Sequence, residues 1–240
     1  MRYAFISDIH GNLHALDLVL ADLEHANIDQ LVCLGDIASL GPQPREVIAR
    51  LQRLNLPTIT GNHETYLLNP DLTQKHHPWL RAMEHWCLSL LTPEELNYLA
   101  SFQSQLCYKT ANTSLLCFHG SPRSNEEFLH PNASAELMDE VFTGRDAQFM
   151  IGGHTHIQMM RHHRRLAYIN PGSVGMPFVY PMTGPNQTAI RRAEYAVIDV
   201  ADDRISVDLR QLPIDFDHLA QVSRLSGMPD VEFWLSTWTT

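Results

Sequence analysis

Three short apolar runs near the start of the chain are each followed at once by a polar cluster. They are residues 3–7, 31–34 and 56–60, and the clusters begin at Asp8, at Gly35-Asp36 and at Gly61-Asn62-His63. Between the runs, apolar residues recur at helical spacing, after Asn12 and again after Pro44. Alternating strands and helices predict right-handed crossovers and a parallel sheet. The polar clusters would then lie together beyond the carboxyl ends of the strands, where such sheets bind ligands.

The rest of the chain continues with strand and helix patterns. Residues 64–101 are predicted to be mainly helical, and Thr92-Pro-Glu-Glu95 has the cap, proline and glutamate typical of a helix start. Strand-like runs follow at 114–118, 148–151 and 166–169, and a hairpin is predicted from 193–200 and 204–212. Residues 176–192 carry three prolines and are predicted to be a loop, whose role as lid, dimer contact or plain connection stays open.

The charge balance excludes one class of partner. The chain has 17 lysines and arginines against 27 aspartates and glutamates, for a net charge of −10. A nucleic-acid polymer needs a basic face on its partner, so none is expected, whereas bound metal ions could attract a small anionic substrate. No apolar stretch approaches the roughly 20 residues of a membrane span, and no signal peptide is recognised. A cytoplasmic protein is predicted, with Cys33 and Cys117 reduced and buried in apolar runs.

Metal-ligating residue types follow five strand-like runs in succession. They are Asp8 and His10, Asp36, Asn62 and His63, His119, and finally His154 and His156. A single histidine of this kind would more often be a core residue bonded to the backbone, but the whole set favours a metal site. Mixed imidazole and carboxylate ligands suit Zn, Mn or Fe, while Mg and Ca prefer oxygen alone. The set is too large for one tetrahedral ion and suits two adjacent ions that share a bridging carboxylate.

These clusters match a known family in their order along the chain. The blocks are Asp8-Ile-His10, Gly35-Asp36, Gly61-Asn62-His63-Glu64, His119-Gly120 and Gly153-His154-Thr155-His156. They resemble the calcineurin-like metallophosphoesterases, and more narrowly the small single-domain bacterial and archaeal phosphodiesterases. The narrower likeness lies in residues 35–44, 119–123 and 170–175. The resemblance implies an α/β (α+β) fold, a four-layer α-β-β-α sandwich of two mixed sheets flanked by helices.

The resemblance covers residues 1–215, so residues 1–240 are expected to form a single domain with a helical, aromatic tail at 216–240. Within this tail, Phe233, Trp234 and Trp238 are expected to cover the core of the chain itself. An exposed aromatic patch there would instead indicate a partner. Whether the protein forms a homo-oligomer stays open.

The resemblance also implies a role for each site residue. One divalent ion would be held by Asp8, His10, Asp36 and His156, and the other by Asp36, Asn62, His119 and His154, with Asp36 bridging. His63 would not be a ligand; it would point at the substrate and assist the departing oxygen. The implied cofactors are two divalent ions of Mn, Fe or Zn, with Mn favoured for activity. The implied nucleophile is a hydroxide that bridges the two ions.

The expected function is therefore hydrolysis of phosphodiester or phosphoanhydride bonds in a small, nucleotide-type phosphorylated substrate. One alternative is a non-catalytic interaction module on the same fold, as in the retromer subunit that lacks the catalytic histidine; the presence of His63 counts against it. A metal amidohydrolase is a second alternative. That class needs its His-x-His pair after the first strand of a barrel, whereas here the first strand ends in Asp-x-His.

Some residues outside the metal set have two interpretations. Arg123, four residues after His119, is a candidate to bind the substrate phosphate, unless it forms a surface salt bridge. Asn12 is expected to cap its helix, with a contact to phosphate as the alternative, while Asn170 and Ser173 are expected to shape the site as partners of the ligand histidines. The histidine pairs at 76–77 and 162–163 are expected to be solvated, with a polyphosphate contact by residues 161–165 as the alternative.

Overall fold

The apolar runs form two mixed β-sheets and one short strand pair in the computed structural model, which describes residues 1–110, 112–181, 187–201 and 204–239. The strands are β1 (Arg2–Ile6), β2 (Gln30–Cys33), β3 (Leu106–Lys109), β4 (Ser114–Cys117), β5 (Phe149–Ile151), β6 (Met159–His163), β7 (Leu166–Asn170), β8 (Ala189–Ile190), β9 (Arg192–Ala201), β10 (Arg204–Pro213) and β11 (Trp238–Thr239). The first sheet has the order β10-β9-β1-β2 and the second β3-β4-β5-β7-β6, while β8 pairs with β11. The parallel pairs β1–β2, β4–β5 and β5–β7 agree with the predicted crossovers.

Helices cover the outer faces of the two sheets. They are α1 (Leu13–Glu24), α2 (Pro44–Leu54), α3 (Asn62–Leu68), α4 (Pro78–Leu90), α5 (Pro93–Ala100), α6 (Ala135–Phe142), α7 (Phe216–Leu225) and α8 (Val231–Ser236), with a 3-10 helix at Pro70–Lys75. The predicted caps are present: Asn12 Oδ1 accepts from the Ala15 N–H, and Thr92 and Glu95 form a capping box at the start of α5. None of the described helices has the length and apolar composition needed to cross a bilayer.

Successive side chains of each strand point to opposite faces of its sheet, and this alternation produces the layers of the fold. In β1, Tyr3 and Phe5 face the space between the sheets, while Ala4 and Ile6 belong to the cluster that includes α1 and α2. The second sheet alternates in the same way, with Cys117 facing inward and Leu116 packing in the cluster that contains α6. Full burial of a leucine or phenylalanine side chain stabilises a fold by about 1.5–3 kcal/mol. The expected four-layer α-β-β-α sandwich is therefore confirmed.

The run at 56–60 does not form the predicted third strand. Only isolated bridges form there, between Thr58 and Cys33 and between Ile59 and Gln103. Pro57 has no N–H to donate to a ladder, so continuous pairing stops at this point. The segment still runs beside β2 and delivers the polar cluster that begins at Gly61.

A strand that the sequence analysis did not predict, β6, contains the basic segment near residue 163. The side chain of His163 is buried and its Nε2 lies 2.7 Å from Asp139 Oδ1, so the expectation that it is solvated is wrong. Arg164 pairs with the same carboxylate, and Arg161 donates to backbone carbonyls of residues 131 and 133. These contacts tie β6 and the turn after it to α6 and to the segment before α6.

The segment 176–192 and the tail pack against each other. Residues 189–190 form β8, a departure from the predicted loop, because β11 at the end of the tail offers it a parallel partner; residues 182–186 lie outside the described part of the chain. Trp234 and Trp238 are buried, as expected, whereas Phe233 is 48% exposed and does not cover the core. All four cysteines are free, and Cys33 and Cys117 are buried as predicted.

Candidate metal centre

The seven predicted ligands lie on loops that follow β1, β2, β4 and β5 and at the first residue of α3. All of them are buried, since none is more than 9% exposed. They come from five separate parts of the sequence, and the sandwich brings the carboxyl ends of both sheets to one edge. His119 Nε2, from the second sheet, lies 3.8 Å from Asp8 Oδ1 of the first. The predicted convergence of these side chains is thus present in the structure.

Five of the seven residues have left-handed backbone conformations. The φ angles are 54° at Asp8, 48° at His10, 55° at Asp36, 69° at His154 and 57° at His156. This region costs a non-glycine residue about 1–3 kcal/mol, and such residues persist where the surrounding structure holds them in place. These five residues lie together at one edge of the sandwich. The fold therefore holds their side chains in position although the left-handed backbone conformation is unfavourable for them.

Asp8 presents one carboxylate oxygen to the backbone and the other to the cluster. Its Oδ2 accepts the N–H of His154 at 3.0 Å, which joins the first sheet to the second. Its Oδ1 is buried, has no hydrogen-bond partner, and lies 3.3 Å from His156 Nε2. Burial opposes the charge of Asp8, but His156 and His119 lower its pKa to about 2. Asp8 therefore favours its ionised form and directs an oxygen without a hydrogen-bond partner at the histidines of the cluster.

Asp36 has the same division of roles at the centre of the cluster. Its Oδ1 accepts the N–H of His63 at 2.9 Å, and its Oδ2 lies 3.1 Å from His119 Nε2 and 3.9 Å from His10 Nε2. Burial opposes its charge, but the histidines around it, His119 first, hold its pKa well below the ordinary value. A Cβ atom at Gly61 would overlap Oδ1, so only glycine allows this approach. One oxygen of Asp36 thus stands between two groups of histidines.

Backbone carbonyls set the tautomers of the histidines. Nδ1 lies 3.0 Å from the Ser39 oxygen in His10, 2.7 Å from the Leu34 oxygen in His119, and 2.6 Å from the Met176 oxygen in His156. A carbonyl only accepts, so Nδ1 carries the hydrogen and Nε2 faces the cluster. His154 is reversed: its Nε2 lies 3.2 Å from the Glu126 oxygen, and its Nδ1 is left for the cluster.

The contact between His10 and His156 fits a cation. Their Nε2 atoms are 2.9 Å apart, although both rings already carry a hydrogen on Nδ1. Two lone pairs at this distance need a proton or a metal ion beside them. Burial and the neighbouring His156 lower the pKa of His10 to about 3, whereas Asp8, against the effect of burial, raises the pKa of His156, so a proton shared by the pair would lie on His156. A metal ion coordinated by both nitrogens satisfies the pair and also the unpartnered oxygen of Asp8.

The charges around His119 also favour a bound cation. Burial would lower the pKa of His119, but Asp36 and Asp8 raise it to about 10. The two carboxylates therefore attract positive charge, and in the absence of a metal ion a proton on His119 supplies it. Because a ligand imidazole must be neutral, a dication that binds here would release that proton.

Two groups of ligand atoms are compact enough to hold one ion each. In Asp8, His10 and His156, and in Asp36, His119 and His154, the ligand atoms lie within 4.8 Å of one another. The Oδ1 atom of Asn62 is 3.0 Å from His119 Nε2 and belongs with the second group. A third, overlapping set joins His63 to His10 and Asp36. The donors are nitrogen and carboxylate oxygen, which suits Zn, Mn or Fe.

Glu64 is a part of the site to which the sequence analysis gave no role. Its side chain is fully buried, and it accepts the N–H groups of Asp36 and Gly61 at 2.8 Å and of Ile37 at 2.9 Å. Burial and the charge of Asp36 raise the pKa of Glu64 to about 7, against the effect of the three N–H donors. The signal was present in the sequence, because a glutamate at the third position of a helix is one half of a capping box.

We expect Glu64→Gln to lower the free energy of unfolding by about 1–3 kcal/mol. An amide has one oxygen for three donors, and its NH₂ group would face at least one buried N–H that loses its acceptor. Urea denaturation of the metal-free protein at pH 8 measures the loss. Glu24→Gln is the matched control, since Glu24 is exposed on α1 and its change should stay within about 0.5 kcal/mol. Equal stability of the two variants would contradict the role assigned to Glu64.

His63 lies beside the cluster and lines a cavity of about 520 Å³. Its ring stands edge-on to His10, with centroids 5.1 Å apart. Behind it, Glu84 Oε1 lies 3.5 Å from Nδ1, and neither atom has a hydrogen-bond partner. The other oxygen of Glu84 lies 3.1 Å from His76 Nδ1. His76, which the sequence analysis expected to be solvated, is therefore largely enclosed, while His77 is exposed.

The structure places Arg123 at the surface. Its guanidinium donates to both carboxylate oxygens of Glu127, at 2.5 to 3.1 Å, and lies 3.7 Å from Glu140. Arg123 is not among the residues that line the cavity. The surface salt bridge that was its alternative interpretation is present, and a contact with substrate would require this pairing to break.

Asn170 and Ser173 shape the site through its backbone. Asn170 donates to the carbonyl of Gly153 and to Thr155 Oγ1, and Ser173 donates to the carbonyl of Asp8. The acceptors of the histidine N–H groups are backbone carbonyls instead, so the expected direct partnership with these two side chains is wrong. Both residues hold the loops that carry the ligands.

This geometry can be compared with known proteins. Residues 1–203 match the calcineurin-like phosphoesterase superfamily domain. The chain belongs to this superfamily. An uncharacterized protein of Methanocaldococcus jannaschii is 28% identical over 221 residues, which are 85% of each chain.

Solved structures of relatives agree with this calcineurin-like fold. A metallophosphoesterase from Sphaerobacter thermophilus has a TM-score of 0.76 at 26% identity, over 99% of this chain and 98% of the other. A hypothetical protein from Pyrococcus horikoshii reaches a TM-score of 0.84 at 20% identity, over 98% of this chain and 97% of its own. The family is thus established over nearly the whole chain, and it supports a metal-dependent phosphoesterase.

Proposed function

We propose that this calcineurin-like protein hydrolyses phosphodiester or phosphoanhydride bonds of a small, nucleotide-type substrate at a centre of two divalent metal ions. The observation that carries the proposal is the position of Asp36, whose Oδ2 lies between His10 and His119. A carboxylate with histidines on both sides is suited to bridge two ions. A single ion would leave one of the two ligand groups without a partner.

The ligands divide between the two ions as the resemblance implies. Asp8, His10, Asp36 and His156 would hold one, and Asp36, Asn62, His119 and His154 the other. When bound, the ions supply Lewis-acid chemistry, since they activate water as a nucleophile and neutralise charge on the phosphate. The chain itself contributes pre-set geometry, because carbonyls fix the histidine tautomers and backbone N–H groups fix the carboxylates.

His63 is the residue we assign to the leaving oxygen. It lines the cavity next to the ligands without being held by a carbonyl as they are. Glu84 Oε1, 3.5 Å behind the ring, favours a hydrogen on Nδ1, while burial lowers the pKa of His63. A histidine so placed can donate a proton to the departing oxygen or stabilise its charge, a contribution usually worth ~10²–10⁴-fold in rate.

We further propose Mn²⁺ as the activating ion and the cytoplasm as the place of action. Carboxylate oxygen suits manganese, and the histidines of this set complete a mixed nitrogen and oxygen shell. The four cysteines are free thiols, which suits a reducing compartment.

A substrate panel tests the proposal. The Mn²⁺-loaded protein is assayed at one pH with an activated phosphomonoester, an activated phosphodiester and a dinucleoside polyphosphate. We expect turnover of the activated diester, loss of turnover with a chelator, and recovery when Mn²⁺ is added back. A protein that binds two equivalents of metal and hydrolyses none of the three would overturn the proposal and favour the non-catalytic interaction module.

A further inference from the structure

The cavity beside the metal centre has a chemical character that the proposed hydrolysis does not use. Its volume of about 520 Å³ falls in the range of pockets for small ligands, and the ligands Asp36, Asn62, His154 and His156 form part of its lining. A phosphate bound at the metal centre would therefore have the rest of its substrate in this space. We call it the aromatic cavity, after the five residues Tyr66, Trp79, Phe128, Phe178 and Phe233 in its lining.

Three of these aromatic rings touch histidines of the centre. Phe178 stacks on His156 with centroids 4.4 Å apart and planes 10° from parallel, and Phe128 lies 4.1 Å from His154. Tyr66 meets His63 edge-on at 5.6 Å. The aromatic surface thus begins at the ligands themselves. A ring joined to phosphate through one ester oxygen would reach it without a long linker.

Two of the rings are exposed although they are strongly apolar. Phe128 and Phe233 are each 48% exposed, and the other seven phenylalanines of the chain are buried or partly buried. They come from separate segments, the loop after β4 and helix α8, yet both line the same cavity. Phe233 also contacts Trp79 of α4 edge-on at 5.6 Å. The two exposed phenylalanines of the chain thus lie in one cavity, and clustered exposed apolar side chains of this kind are typical of a binding site.

The charges in the lining oppose an anionic occupant. Among the lining residues that the structure describes there is no lysine and no arginine, and Glu126 adds a carboxylate. His76, the histidine nearest to Tyr66 in this wall, already faces Glu84. Among the described lining residues away from the metal centre, a second or third phosphate would thus meet no lysine or arginine, and only histidine side chains such as the exposed His77.

We propose that the aromatic cavity binds an uncharged aromatic group of the substrate, such as a nucleobase, while the metal centre holds its phosphate. This inference rests on the proposed phosphoesterase function and narrows its substrate class. The substrate carries one phosphate at the metal centre, and any polyphosphate chain does not extend into the cavity.

Non-hydrolysable phosphonates test the cavity apart from catalysis. Benzylphosphonate and ethylphosphonate have the same phosphonate group and differ in the ring, and their dissociation constants for the Mn²⁺-loaded protein are measured by calorimetry. We expect benzylphosphonate to bind at least ~10-fold more tightly, because burial of a ring and its contacts with aromatic walls both favour it. A second phosphonate on the ring, as in 1,4-xylylene diphosphonate, should weaken binding.

Phe128→Ala and Phe233→Ala identify the surface responsible. Both side chains are exposed, so their truncation leaves the core intact. We expect each change to reduce the preference for the benzyl compound, measured as the ratio of the two dissociation constants of that variant, by ~3-fold or more. Leu225→Ala is the matched control, since Leu225 is 79% exposed on α7 and outside the cavity, and it should retain the full preference.

The outcomes separate the two proposals. Equal binding of the two phosphonates, or tighter binding of the diphosphonate, would overturn the aromatic site even if esters are hydrolysed. A benzyl preference that both phenylalanine variants retain would overturn it as well. A protein that shows the preference but fails the substrate panel would keep the aromatic site and lose the hydrolytic function. Binding of neither phosphonate would overturn the aromatic site, and failure of the substrate panel as well would overturn both.

Discussion

Asp36→Asn is expected to weaken binding of both metal ions by at least ~100-fold. The amide oxygen would take the position of Oδ1 and accept the N–H of His63, which turns the NH₂ group toward His119 and His10. An NH₂ group is no metal ligand, and the charge shared by the two ligand groups is lost. Even a lost partner of a ligand typically costs 10–100-fold in metal affinity, so loss of the bridge itself should cost more.

Metal content and stability together measure this loss. At a Mn²⁺ concentration 100 times the dissociation constant, binding to one site stabilises the wild-type fold by about 2.7 kcal/mol, and a 100-fold weaker site gains about 0.4 kcal/mol. Elemental analysis after dialysis should show two equivalents of metal in the wild type and few in the variant. Asp139→Asn removes an acid outside the centre and should retain both equivalents. Full occupancy of Asp36→Asn would contradict the bridging role.

The position of the metal ligands was predictable because it depends on topology. Once the apolar runs are recognised as parallel strands, their carboxyl ends must meet, and Asp8, Asp36, His119 and His154 all follow such ends. The four layers were implied by the family resemblance, and the structure shows the alternation of inward and outward side chains in β1 and β4 that produces them. Neither feature depends on how far apart the segments lie in the sequence.

Contacts between side chains of separate elements were not predictable in this way. Glu84 meets His63 only because α4 packs behind α3, and no local pattern encodes that packing. Phe128 and Phe233 meet in one cavity although 105 residues separate them, so their exposure had no signal in the sequence. The salt bridge of Arg123 could be predicted in part, because Glu127 follows Arg123 by four residues in the sequence.

The polar strand β6 could not be predicted for a different reason. Its residues, Met-Met-Arg-His-His, lack the alternating apolar pattern of a half-buried strand. Antiparallel pairing with β7 supplies the backbone partners, and Asp139 supplies the partner of the buried His163. Tertiary contacts here outweigh the local preference of the residues.

His63→Ala is expected to retain both metal ions and to lose most of the turnover. His63 lies beside the ligands and contributes its backbone N–H, not its ring, to the hydrogen bond that holds Asp36, so alanine leaves that bond in place. The loss should be ~10²–10⁴-fold in kcat for an alkyl ester, whose basic leaving oxygen needs a proton. It should be smaller for a p-nitrophenyl ester, because that oxygen departs readily as an anion.

The difference between the two esters distinguishes the roles that His63 can have. A residue that acts on the leaving oxygen produces a larger loss with the alkyl ester, whereas a residue that stabilises charge on the other phosphate oxygens produces similar losses with both. His162→Ala is the matched control, since His162 is exposed on β6 and its change should leave both rates as in the wild type. Two equivalents of metal must be present in each variant, which elemental analysis establishes. A metal-loaded His63→Ala protein that hydrolyses both esters at nearly the wild-type rate would remove His63 from the mechanism, and Glu84 would then be a buried acid without a catalytic partner.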